Sequence, residues 1–215
     1  RTVLHTDDKI LTSWNGLMIG ALAKAYQVLG DDWCLNGAKE SQQFIERNLT
    51  SDKGRLFIRY REGQAVHDGQ LDDYAFYAFG LLELYEASYD IRYLNIASEI
   101  SEKMLELFFD EAKGGFYMYA HDRDKLISRP KELYDGALPS GNSVAAYVLE
   151  KLYHLTGKIK WQNVLEKQIS FLTQEVKKSP ANYCFSLLAF QGILYPSTEI
   201  VCVSAEDSIL KEIQD

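Results

Sequence analysis

The chain has 215 residues, 47% hydrophobic and 25% charged, and a formal net charge of -8. That composition supports one sizeable core and excludes a disordered chain. The acidic balance excludes an electrostatic nucleic-acid binder, which needs a basic face, and no apolar run reaches the ~20 residues of a membrane span.

The first expected helix covers 13–29, with Leu17, Met18, Ala21, Leu22, Ala25 and Val28 at helical spacing and Ser13 as its cap. Gly30-Asp31-Asp32 ends it, and a second helix runs from Trp33 to about Asn48. The stretch from Lys53 to Tyr60 alternates like a strand, Glu62-Gly63 turns it, and Gln64-Ala65-Val66 returns. Helices three and four follow at about 72–88 and 93–109, then a second extended piece from Lys113 to Tyr119. Helices five and six are expected at about 141–155 and 161–176. Helix seven starts at Ser179-Pro180, where Pro suits the first helical position, and ends near Leu194.

These elements repeat. Tyr26, Tyr85 and Tyr153 hold one position near the ends of the odd helices, and Trp33, Tyr93 and Trp161 hold the entry of the even ones. Packing beside a tight turn accounts for both series. Units of roughly 60 residues exceed the ~34-residue tetratricopeptide period. Odd helices are apolar on most faces and even helices carry a charged stripe, so the odd ones are interior. Alternating inner and outer helices predict an all-α fold, a partial (α/α)6 toroid of about seven helices with short β-hairpin insertions. The toroid part spans 1–195. Residues 196–215, with the β-branched run Glu199 to Val203 and a short helix over 205–213, read as the start of a βα extension. The first residue is Arg and no signal peptide is seen, so the chain is expected to be a piece of a longer protein.

Inner helices of a toroid run parallel, so their N-termini, which carry partial positive charge and free N–H groups, meet at one mouth. The residues at those starts are Asp7, Asp8, Trp14 and Asn15; His67, Asp68, Asp72, Asp73 and Tyr74; Tyr134, Asp135, Ser140 and Asn142; and Asn182 and Tyr183. Aromatic faces for sugar rings, with carboxylates and amides for hydroxyls, suit a carbohydrate. Asp72 aligns with Ser13 and Ser140 as a cap, which leaves Asp73 for function. His67 has the best claim among the histidines; His5, His121 and His154 have weaker ones. The catalytic candidates are therefore His67, Asp73 and Asp8. The substrate-binding candidates are Trp14, Asn15, Asp72, Tyr74, Asp135, Ser140 and Asn142. Beyond the adjacent His67 and Asp68 no metal-ligand pattern occurs, and neither metal nor cofactor is expected. Cys34, Cys184 and Cys202 are odd in number and widely spaced, which fits a reducing, cytoplasmic compartment.

The run from Asp7 to Met18, with Leu71-Asp72-Asp73-Tyr74-Ala75 and the stretch from Asp135 to Ser143, resembles the YyaL-like family, which includes the spermatogenesis-associated thioredoxin-domain proteins. The resemblance covers most of residues 1–195. It implies an N-terminal thioredoxin-like domain elsewhere in the parent chain. It also implies a six-hairpin toroid similar to N-acylglucosamine and cellobiose 2-epimerases and, more distantly, to six-hairpin glycosidases. Three functions stay open. A sugar epimerase or isomerase would use His67 or Asp73 as acid/base. A glycosidase would pair Asp8 with Asp73 or Asp135 at ~5–5.5 Å or ~6.5–9.5 Å. A non-catalytic helical scaffold would present the redox domain. The expected ligand is a sugar or other small molecule, and the isolated part is expected to self-associate through the apolar flanks of an open ring.

Overall fold

The computed structural model describes residues 7–123, 128–195 and 198. His5, Cys202 and the βα tail expected at 196–215 lie outside the described residues, apart from Thr198.

Chain order sets the architecture. Helices α1 (Thr12–Leu29) and α2 (Asp32–Asn48) form one hairpin, α3 (Leu71–Ser88) and α4 (Ile91–Phe108) a second, and α5 (Gly141–Thr156) and α6 (Ile159–Val176) a third. A 3-10 turn, Pro180–Asn182, leads into α7 (Cys184–Leu194), so the proline opens this turn and not the long helix expected there. The tight turns have local causes. Gly30 and Gly157 adopt φ of 67° and 63° at the ends of α1 and α5, a conformation open to glycine at little cost. Asp31 and Asp90 cap α2 and α4 by accepting the N–H groups of Trp33 and Arg92.

Within this framework α1, α3, α5 and α7 pack side by side in that order, and α2, α4 and α6 lie behind them. The fold is an arc of an α/α toroid. The inner helices approach closely where small residues meet. A Cβ on Gly16 would sit 2.6 Å from the Phe76 backbone, and one on Gly80 would run into the Gly16 carbonyl. Leu81, Leu82, Leu84, Val144, Val148 and Leu149 fill one continuous core with Tyr74, Tyr77 and Phe108.

The repeat positions behave unequally. Tyr93 and Trp161 are buried, each beside the hairpin that precedes it, whereas Trp33, with no hairpin before it among the described residues, is 72% exposed. The arc thus ends in two apolar flanks. On α1 the exposed or half-exposed side chains Trp14, Met18, Ala21, Ala25 and Val28 form a stripe on the side away from α3. On α7 the exposed set is Leu187, Leu188, Ile193 and Leu194.

One hairpin insertion is a true sheet. Strands β2 (Phe57–Arg61) and β3 (Gln64–Asp68) pair antiparallel around Glu62-Gly63, both at positive φ, as a twisted two-residue hairpin requires. An additional strand, β1 (Ile10–Leu11), joins β2 with Ile10 opposite Tyr60. The sheet therefore spans from the entry of α1 to the entry of α3. The second expected extended piece is reduced to an isolated bridge, Phe109 to Phe116. Gly114 and Gly115, at φ 69° and 79°, pack against α6 there and break the strand. That loop is tied instead by Asp110, which accepts from Lys131 Nζ at 2.8 Å and Tyr117 Oη at 2.7 Å. Those bonds hold its carboxyl well below the usual range.

Candidate functional site

A chain of hydrogen bonds joins the N-termini of all four inner helices. Ser13 N–H in α1 donates to Asp73 Oδ1 at 3.1 Å, and Gln70 N–H donates to Asp73 Oδ2 at 2.9 Å, so one carboxylate in α3 holds two helix entries. Between α3 and α5, the Asp72 carboxylate faces the Gly141 N–H. A side chain at 141 would collide with Asp72 Oδ1, which is why glycine opens α5. Between α5 and α7, Asp135 accepts from Ser140 N–H at 2.8 Å and Phe185 N–H at 2.8 Å. The hydroxyls of Ser140, Ser143 and Ser186 continue that link at 2.8 and 2.7 Å.

This geometry reassigns several expected roles. Ser13 is not the cap of α1; Leu11 holds the cap position and Ser13 lies inside the helix. Asp73 is not the free carboxylate. It is 3% exposed and spent on two backbone donors. Asp72 is not a cap, because Gln70 occupies that position; its carboxylate is half-buried at the mouth. Tyr74 is a buried core ring, edge-on to Phe108, with its hydroxyl accepting from Leu56 N–H at 3.0 Å. Burial pushes that phenol up to about 12. Asn142 is fully buried, pinning Phe116 and Glu132 backbone groups and bonded by Gln168. Ser140 is the cap of α5 and Asp135 the brace just described.

The remaining candidates are partly or fully exposed. Trp14 is 61% exposed in this chain, on the open flank of α1. Asn15 donates to the Leu11 carbonyl at 2.8 Å. Asp8 is exposed and paired with Arg61 at 2.7 Å, on the sheet and apart from Asp73 and Asp135, whose oxygens are already engaged. His67 is exposed on β3 at φ 62°. Asp68 is engaged by Arg55 at 3.2 Å and by Arg123. His121 faces the Leu107 carbonyl, and His154 lies 3.2 Å from Glu150 near the far end of α5.

Two carboxyls at the mouth are pushed up by burial. Asp73 rises to about 7, against the pull of the Gln70 and Ser13 N–H groups. Asp72 rises to about 6, with the nearby charge of Glu132 adding to burial and the Gly141 N–H opposing it. Only Asp72 combines this with partial access. Glu132 and Gly141 were not singled out in the sequence. Neither was the α3 series Asp72, Phe79 and Glu83, although spacings of seven and four along a helix put these residues on one shared face. Among the described residues no group of three or more His, Cys, Asp or Glu side chains could hold a metal ion. Nor is any helix among them long and apolar enough to cross a membrane.

No family model matches the chain. It is 33% identical over 186 residues to human spermatogenesis-associated protein 20 and 33% identical over 189 residues to an uncharacterised protein of Caenorhabditis elegans. These matches cover 82% and 84% of this chain but 24% and 23% of those proteins, so the chain spans about a quarter of the relatives' length. Among solved structures, a GH76 α-mannanase of Bacteroides thetaiotaomicron superposes with TM-score 0.68 at 16% identity, over 90% of this chain and 54% of that one. Cellobiose 2-epimerase of Bacillus thermoamylovorans gives 0.66 at 15%, over 81% and 47%. An α-1,6-mannanase of a Salegentibacter species, described as an inactive variant with two adjacent aspartates replaced by alanine and bound to α-1,6-mannotetraose, gives 0.61 at 15%, over 76% and 47%. The likeness to these three shows the α/α-toroid fold. With its sequence relatives on one side and this fold on the other, the chain belongs to the spermatogenesis-associated protein 20 family and represents part of an α/α toroid.

Proposed function

We propose that this chain forms part of a carbohydrate-binding toroid whose reacting carboxylate is Asp72. The observation that carries the reading is the division of labour at the mouth. Asp73 and Asp135 each accept backbone N–H groups on both oxygens, while Asp72 is half-buried and held near 6. A carboxyl with that value is near its titration point at neutral pH and can give or take a proton at a sugar hydroxyl or ring carbon. Sugar epimerisation or isomerisation is the reading adopted, supported by toroids of the same fold that are a cellobiose 2-epimerase and a D-mannose isomerase. Hydrolysis is the second reading. It is favoured by the adjacent pair Asp72-Asp73, since an α-1,6-mannanase of this fold is inactive when two adjacent aspartates are replaced. Under this second reading another carboxyl must act with Asp72, and Glu132, whose charge acts on Asp72, is the candidate.

The toroids above are about twice as long as the matched part of this chain. The flank stripes on α1 and α7 support closure of the ring by further hairpins of the parent protein, which would also carry the thioredoxin-like domain. Free thiols at Cys34 and Cys184 support a reducing, cytoplasmic setting. The test is calorimetric titration of the full-length protein and its Asp72→Asn variant with mannose, cellobiose and α-1,6-mannotetraose. No binding to any saccharide would leave a helical scaffold as the function.

A further inference from the structure

On α3, Tyr74 and Tyr77 face the outer helices. Tyr74 packs against Phe108 of α4, and Tyr77 receives Gln42 of α2 at 3.3 Å. Asp72, Phe79 and Glu83 lie on the opposite side of the same helix, toward the axis of the arc. Phe79 is seven residues from Asp72, so it sits about 10 Å below the mouth, and Glu83 about 6 Å deeper.

Three inner helices each place a ring at the Phe79 level. The centroid of Phe79 is 5.7 Å from that of Tyr147 in α5 and 5.8 Å from that of Phe185 in α7, and Tyr147 and Phe185 are 5.8 Å apart. The fourth inner helix contributes absence of bulk: a Cβ on Gly20 of α1 would come within 2.5 Å of Phe79. All three rings are half-buried, so each still presents an open part. Below them Glu83 is only 3% exposed, although described helices surround the axis on one side only. Its Oε1 accepts from Tyr147 Oη at 3.0 Å, and its Oε2 lies 3.1 Å from Lys24 Nζ. A second cross-helix pair, Lys151 with Glu86 at 2.7 Å, braces the helices about one turn deeper. A carboxylate kept from water on the axis-facing side needs a cover; Tyr147 and Lys24 lie against it, and Phe79 stands one turn above it.

We propose that the pocket is blind: Phe79, Tyr147 and Phe185 form its floor, and Tyr147 is held as a positioning residue by Glu83. Aromatic faces about 10 Å below Asp72 stack the apolar face of one sugar ring. A closed floor admits a chain end or a small free saccharide and rejects the interior of a polysaccharide. The choice of a sugar rests on the carbohydrate reading above; the closed floor does not.

Two measurements on the full-length protein separate these. Carboxyl groups are coupled to glycine ethyl ester with a water-soluble carbodiimide, and the modified peptides are identified by mass spectrometry. Asp72 is labelled and Glu83 is protected in the wild type. Phe79→Ala, with folding checked by circular dichroism, loses that protection, whereas Tyr147→Phe keeps it because the ring remains. Labelling of Glu83 as readily as Asp72 in the wild type, or continued protection in folded Phe79→Ala, overturns the floor. If Phe79→Ala does not fold, the wild-type and Tyr147→Phe labelling decide. Separately, whichever of cellobiose and α-1,6-mannotetraose binds is retested with a bulky fluorophore at both ends. Loss of binding is expected, and undiminished binding overturns the chain-end preference. Absence of any saccharide binding removes the carbohydrate reading while the labelling still decides the floor.

Discussion

The Asp73 carboxylate accepts the Ser13 N–H at 3.1 Å, sixty positions away in the chain, while its other oxygen accepts the N–H of Gln70. One buried side chain thus sets the height of α1 against α3, and with it the level of the mouth. Replacing it by Asn keeps the size, but puts an amide N–H₂ against one of two N–H donors. Asp73→Asn is expected to lower unfolding free energy by about 1–3 kcal/mol, the cost of an unsatisfied buried donor. Urea unfolding checks this, and an unchanged midpoint would contradict it.

The contact of α1 with α3 depends on missing side chains. Gly16→Ala or Gly80→Ala drives a methyl into the facing backbone and should cost about 1–3 kcal/mol or more. Gly37→Ala is the control. It lies within α2 with only Leu22 at 3.4 Å, so it should be neutral or stabilise by up to ~1 kcal/mol through helix propensity. Thermal melts that do not separate the two kinds of site would contradict the close approach.

Asp72 makes stability depend on pH. Its carboxyl is raised from 3.8 to about 6 in the fold. Between about pH 4 and 6 the folded state therefore holds a proton that the unfolded chain has released. Stability from this group is highest at the acid end and falls as pH rises through that window, by roughly 1–3 kcal/mol. Asp72→Asn removes this group's share of the fall and leaves that of Asp73, so its stability relative to wild type should improve from pH 4.5 to 7.5. A constant difference would contradict the raised value. Asp110 acts oppositely, its lowered value giving stability that is lost as pH falls into the acid range.

The open arc predicts self-association. Trp14, Met18 and Val28 on one flank and Leu188, Ile193 and Leu194 on the other are exposed, and apolar patches of this kind drive association. The 215-residue chain expressed alone should sediment as dimers or larger species, and Met18→Lys with Leu188→Lys should shift it toward monomer. A monomer at high concentration without those changes would contradict the prediction.

Helix number, order and the inner–outer alternation were legible because periodicity and capping are local. The α3 boundaries at Leu71 and Ser88 fall within one residue of those expected. The assignment of the two adjacent aspartates was inverted for a physical reason. Alignment with Ser13 and Ser140 made Asp72 the cap, whereas Gln70 and Asp73 form a capping box, a local signal that the alignment passed over, and the second bond to Asp73 comes from Ser13, in another hairpin. Tyr74 and Asn142 failed in the same way: each sits at a helix start, yet its partners Leu56, Phe116 and Gln168 are distant in sequence. Phe79, Tyr147 and Phe185 were hidden because their meeting depends on which helix faces the axis.

The central claim is that Asp72, and not Asp73, meets a sugar at the mouth. It is tested most directly by calorimetric titration of full-length wild type, Asp72→Asn and Asp73→Asn with mannose, cellobiose and α-1,6-mannotetraose, each variant first shown folded at the working temperature. The predicted result is saccharide binding by the wild type, weakened in Asp72→Asn without loss of stability at neutral pH, and a stability defect as the main effect of Asp73→Asn. Binding that survives Asp72→Asn unchanged, or no binding by the wild type to any of the three, would contradict it.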